Sequence, residues 1–187
     1  MRRYIGHGRR AIEEHELREL LLGAPARSRV LWLLAADCGL RRAEALGLEE
    51  EDVHGGRLRV RSGKGDVSRW TVATGRVLAE IESSGCLRRR RPGYCTVGAW
   101  FRRDRCRAGL PSDLSMHSLR HRFATRLLRS GVSLVDIQML MGHRDLATTA
   151  VYLHADPRRF DTARRAMESD GFPQPLLFPD SSVMEGR

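Results

Sequence analysis

Apolar residues recur along this chain with helical spacing in several separate stretches and with a period of two in one short stretch. In residues 11–22, Ile12, Leu17, Leu20 and Leu21 line one side and glutamates the other, which predicts an amphipathic helix ended by Gly23-Ala24-Pro25. Residues 29–37 are apolar on nearly every side and predict a buried helix. Gly39-Leu40-Arg41 breaks it, and residues 42–46 start another short helical turn. Residues 57–61, Arg-Leu-Arg-Val-Arg, alternate polar and apolar as a half-buried strand does. Ser62-Gly63-Lys64-Gly65-Asp66 has turn chemistry, and residues 68–73 can return as the partner strand of a hairpin with Lys64 at its tip.

Helical spacing returns in residues 74–83 and in the basic stretch 97–108, which carries Trp100 and Phe101; the loop between them contains Arg88 to Arg91. Three helices follow. Residues 118–130 turn Leu119, Phe123, Leu127 and Leu128 inward. Ser133 caps residues 134–141, with Leu134, Ile137 and Leu140 or Met141 inward, and Gly142 stops them. Asp145 caps residues 146–153, and a last helix, 157–167, opens on Pro157. Residues 171–187 hold three prolines and little periodicity. The expected fold is mainly α with a small antiparallel β-sheet (α+β). It forms one domain over residues 1–170, followed by a C-terminal tail, 171–187, that is mobile or docked on a partner.

With 187 residues, 41% of them hydrophobic, the chain can bury a real core. A formal net charge of +10 points to a polyanionic partner, nucleic acid first among them. Of the 33 basic residues only Lys64 is a lysine. An arginine keeps its proton at any working pH whereas an ammonium can release one, so Lys64 is a candidate proton donor. Cys38, Cys86, Cys95 and Cys106 form no CxxC pair and have no histidine at zinc-ligand spacing, so neither a metal nor a cofactor is expected. Residues 1–22 lack the apolar core of a signal peptide, and the longest apolar run, 30–36, is too short to cross a membrane. A cytoplasmic, nucleoid-associated protein with no membrane partner is expected.

Cleaving a phosphodiester without metal needs fork-shaped cations for the non-bridging oxygens, an in-line nucleophile and an acid for the leaving alkoxide. The chain holds groups of each kind. His117 and Arg120 share a helix face at i, i+3 spacing. His143 follows Gly142 at a helix end, and Tyr152 falls late in a short helix. Arg41 sits at a helix break with Glu44 three residues on, where a carboxylate can hold its guanidinium. Each of these alone has an ordinary reading as surface charge, turn or core.

Taken in order, however, Gly39-Leu40-Arg41-Arg42-Ala43-Glu44, Gly63-Lys64-Gly65, His117-Ser118-Leu119-Arg120-His121-Arg122-Phe123-Ala124-Thr125, Met141-Gly142-His143 and Thr148 to His154 resemble the catalytic boxes of the tyrosine recombinase (phage integrase) family. The resemblance runs from about residue 12 to residue 163. It implies that Arg41 and Arg120 clamp the scissile phosphate, and that His117 and His143 donate to its oxygens or assist proton transfer. Lys64 would protonate the leaving 5′ oxygen, and Tyr152 would form a 3′-phosphotyrosyl link. Arg41 is preferred to Arg42 because it occupies the motif position, with Glu44 as its support. Arg42, Arg61, Arg69, His121, Arg122 and Arg144 are expected at the DNA. No counterpart of the family's usual N-terminal core-binding domain is expected before Arg41, so the chain resembles either the short, catalytic-domain-only recombinases or a truncated integrase.

Double-stranded DNA, a homo-oligomer (a tetramer on paired sites) and an accessory DNA-bending or core-binding protein are the implied partners. Two other readings stay open at this point. One is a non-catalytic helix-turn-helix-like regulator built on residues 127–137 with Gly131 at the turn. The other is a type IB topoisomerase-like enzyme.

Overall fold

The computed structural model describes residues 10–61, 68–85, 87, 92–142, 163–165 and 167–168. The Lys64 turn, the Arg88 to Arg91 run, the 146–153 helix, most of the 157–167 helix and the 171–187 tail lie outside the described residues.

Helix α1 (Glu14–Gly23) starts where the Glu16 carboxylate accepts the Glu13 backbone N–H at 2.9 Å. Its buried stripe is Leu17, Leu20 and Leu21, joined by Ile12 from the preceding turn. Helix α2 (Ala26–Cys38) begins directly after Pro25, a turn earlier than its apolar run suggested, because proline's fixed φ suits a helix start. Residues 30–40 are buried almost without interruption, so α2 is the central rod of the molecule, packed by α3 (Arg42–Gly47), α4 (Gly75–Ser84), α5 (Tyr94–Arg107) and α6 (Met116–Arg129). Trp32 meets Phe101 edge to face at 5.1 Å. Its Nε1–H donates to Asp104, which also accepts the Ser28 hydroxyl at 2.6 Å, so this buried carboxylate is satisfied within the layer of helices.

Among the described residues the sheet has three strands rather than the two of a hairpin. β1 (Val53–His54), β2 (Arg57–Val60) and β3 (Arg69–Val72) pair antiparallel in that order, with Leu58 opposite Thr71 and Val60 opposite Arg69. Leu58 and Val60 face the core as the alternation predicts. Two residues give β1 no readable period.

A second apolar cluster joins Val72 of β3, Phe123 and Leu127 of α6, and Ile137, Leu140 and Met141 of α7 (Leu134–Met141), with Ala163 and Met167 closing it. Leu128 and Leu134, expected inward, are 52% and 63% exposed instead. Leu128 lies near the end of α6 and Leu134 opens α7. Between the two cores, Gly39 ends α2 with φ +69°, and a Cβ there would fall 2.5 Å from Phe123, so only glycine lets α6 pack this close. Among the described residues no helix is long and apolar enough to cross a membrane, and no group of three or more His, Cys, Asp or Glu could hold a metal ion.

Candidate active site

The turn that Gly39 makes possible brings Arg41 and Glu44 to a place that Arg69 and Arg120 reach from other elements. Arg41 precedes α3, and Glu44, in the first turn of that helix, accepts the Arg41 backbone N–H at 2.6 Å and its Nη1 at 2.9 Å. Arg69, first residue of β3, forks onto both Glu44 oxygens at 2.9 Å each. Arg120, one turn into α6 and buried, has its Nη1 3.7 Å from Glu44 and donates it to the Gly39 carbonyl.

The three arginines also converge on the end of α7. Arg69 Nε donates to the Leu140 carbonyl at 2.9 Å, Arg120 Nη2 to Met141 at 2.6 Å and Arg41 Nη2 to Gly142 at 3.0 Å. The last carbonyls of a helix lack partners within it and carry the negative end of its dipole, which is why guanidinium donors suit them. Three consecutive carbonyls thus each receive a different arginine, from β3, from α6 and from the α2–α3 turn.

Burial by itself would push the Glu44 carboxyl up, yet the hydrogen bonds and charge of Arg69, with those from Arg41, win and hold it at about 2. Burial pulls the Arg120 guanidinium down to about 10; the nearby Arg41 charge adds to that, against the attraction of Glu44. Among the described residues one carboxylate therefore serves three guanidiniums, and Arg41 keeps 46% of its side chain in solvent. The arrangement can take a further anion, and its forks match phosphate oxygens.

Of the expected catalytic groups, the structure brings Arg41, Arg120 and the supporting Glu44 together. His117 is exposed in the first turn of α6, one turn before Arg120 on the same face. Lys64, His143, Tyr152 and Arg144 lie outside the described residues, although the Gly142 carbonyl that precedes His143 belongs to the cluster.

The residues expected at the DNA divide. His121 is exposed, and Arg61 is exposed but paired with Glu49, Glu51 and Asp52. Arg42 stacks on the Tyr94 ring at 4.3 Å. Arg69 and Arg122 turn inward instead of outward. Arg122 is 3% exposed and donates to the Ala36 carbonyl, to buried Asp37 and to half-exposed Glu14, which together replace the water it gives up. Arg69, expected at the DNA, supports Glu44, a role that sequence reasoning did not assign to it. A single arginine at a strand start gives no signal among so many. Helix α7, the recognition helix of the regulator reading, contains no lysine or arginine and commits Ile137, Leu140 and Met141 to the core.

Residues 88–159 match the phage integrase family. Tyrosine recombinase XerA of Thermococcus kodakarensis is 34% identical over 161 residues, covering 76% of this chain and 57% of that protein. Tyrosine recombinase XerC of Alcanivorax borkumensis is 34% identical over 149 residues, covering 70% and 48%. Among solved structures, an integrase from mycobacterium phage Brujita superposes with a TM-score of 0.70 at 30% identity, covering 84% of this chain and 57% of that one. The chain spans about half the length of the curated relatives it matches.

Proposed function

Because the chain belongs to the phage integrase family, we propose that it is a site-specific DNA recombinase, cleaving and rejoining duplex DNA through a 3′-phosphotyrosyl intermediate on Tyr152. The observation that carries this reading is the pairing of Arg41 and Arg120 over one carboxylate, with cationic charge left in excess, beside the exposed His117. Charge that gathers on the phosphate oxygens in the transition state meets guanidiniums already held in place, so little reorganisation is needed when the bond breaks.

In this mechanism the Tyr152 oxygen attacks phosphorus and the bond to the 5′ oxygen breaks. Lys64 gives its proton to that leaving oxygen, while His117 and His143 donate to the non-bridging oxygens or accept the phenolic proton. One phosphoester replaces another, so rejoining is the same exchange reversed and needs no ATP. In this reading residues 1–170 form the catalytic domain. The working assembly is a homo-tetramer on paired sites, in the cytoplasm at the nucleoid, with an accessory DNA-bending or core-binding protein as a further partner. Arg42, Arg61, His121 and Arg144 contribute along the DNA backbone.

The test is capture of a covalent adduct on nicked suicide duplexes tiled across the DNA that flanks the gene. The chain should give a detergent-resistant protein–DNA band, and Tyr152→Phe none. An adduct that persists in Tyr152→Phe defeats the proposal, and so does prompt relaxation of a supercoiled plasmid lacking any site, which is topoisomerase behaviour.

A further inference from the structure

We propose that Arg69 is a positioning residue of this site, coupling the carboxylate that holds Arg41 to the end of the helix from which His143 departs. Its meaning for catalysis rests on the recombinase reading, while the coupling itself rests on geometry alone. One side chain joins three elements distant in sequence: β3, where it originates, α3 through both oxygens of Glu44, and α7 through the Leu140 carbonyl. Nε, Nη1 and Nη2 are all engaged and only 14% of the side chain is exposed, so Arg69 has little left for a DNA phosphate.

The space around it has been shaped to fit. Gly142 has φ +65°, and a Cβ at that position would lie 2.8 Å from Arg69 Nη1 and 2.9 Å from its Cδ and Cζ. The guanidinium occupies the volume a side chain at residue 142 would need. The backbone immediately before His143 is therefore moulded around Arg69, as well as tied to Arg41 by its carbonyl. Lysine offers a point charge in place of a planar fork, so it can keep the charge but not the three-way tie.

The experiment compares Arg69→Lys, Arg69→Gln and Gly142→Ala in the full chain with the unaltered chain, using the suicide duplexes above. Three quantities are read: the single-turnover rate of adduct formation at saturating DNA, the salt slope and Kd of DNA binding, and the titration of the Glu44 carboxyl by NMR. Arg69→Lys should slow adduct formation about 100-fold, the size of effect a displacement of about 1 Å can have, and leave Kd and the salt slope unchanged. Gly142→Ala should reproduce that pattern by pushing the same guanidinium from the other side. In both Arg69 variants the Glu44 titration should move up.

A weaker Kd with a salt slope shallower by about one, and an unchanged rate at saturation, would make Arg69 a phosphate contact and overturn the proposal. A loss of thermal stability with the saturated rate intact overturns it equally. If the unaltered chain forms no adduct, the recombinase reading fails. The coupling is then still decided by Glu44, whose titration must move in Arg69→Lys. If Arg69→Gln does not fold, the other two variants carry the test.

Discussion

Asp37 and Glu44 stand on either side of the turn that ends α2, and each gathers arginines from distant parts of the chain. Asp37, fully buried, accepts from Arg76 at 2.5 Å, from Arg122 at 3.2 Å and from the Thr74 hydroxyl. Glu14 meets Arg122 from the other side, so two carboxylates face two guanidiniums and the cluster is balanced. Glu44 faces three guanidiniums alone among the described residues. The donors that it cannot occupy go to main-chain carbonyls, which satisfy hydrogen bonds but cancel no charge. The same residue types thus make a closed structural knot in one place and an open cationic site in the other. The deciding quantity is the ratio of carboxylates to guanidiniums, together with the exposure left to Arg41.

The comparison can be broken most forcefully at Asp37. Asp37→Ala leaves Arg122 buried without its inner partner and should cost about 3–5 kcal/mol in a urea unfolding curve. A loss below about 1 kcal/mol would mean that the balanced cluster is not holding the helix layer together. Any loss of activity in this variant should vanish at temperatures where it remains folded.

Arg41→Ala should do the reverse. Stability should change by less than about 1 kcal/mol because nearly half of the side chain is in solvent, where an ion pair is screened. The rate of adduct formation at saturating DNA should fall about 100- to 1000-fold, as when a charge-stabilising donor is removed from a transition state. Equal, small effects on both quantities would erase the contrast between the clusters.

The smallest effect is a pH dependence. The Glu44 carboxyl sits at about 2, below its ordinary 4.5. Its contribution to stability is complete above pH about 4.5 and is lost as the pH falls from there towards 2. Allowing for solvent screening this is worth on the order of 1–2 kcal/mol. Glu44→Gln should flatten that acid limb in a thermal melt series, and an unchanged limb would assign it to other carboxylates.

Much of this was legible along the chain. Ile12, Leu17, Leu20 and Leu21 announced α1, the unbroken apolar run after Arg29 announced the central helix, and Gly39 and Gly142 marked the two helix ends on which the site is built. Arg41, Glu44 and Arg120 were placed together because their motifs are short and ordered. The start of α2 at Ala26 and the two-residue strand β1 were not legible: the first depends on Pro25 capping a helix, and the second on pairing with β2. Leu128 and Leu134 followed the helical period yet face solvent, because period alone does not say where the packed partner stops.

The sequence by itself determined most of the described helices, the glycine turns and the presence of a cationic set of side chains, since all of these follow from neighbours a few residues apart. Only the tertiary structure decided which arginines are structural and which are offered outward. Arg122 reaches Asp37 across 85 residues, Arg69 reaches Leu140 across 71 and Arg41 reaches Gly142 across 101. Every arginine carries the same charge and the same fork. What separates them is the carboxylate or carbonyl that the folded chain brings within hydrogen-bonding reach, and no local pattern encodes that distance.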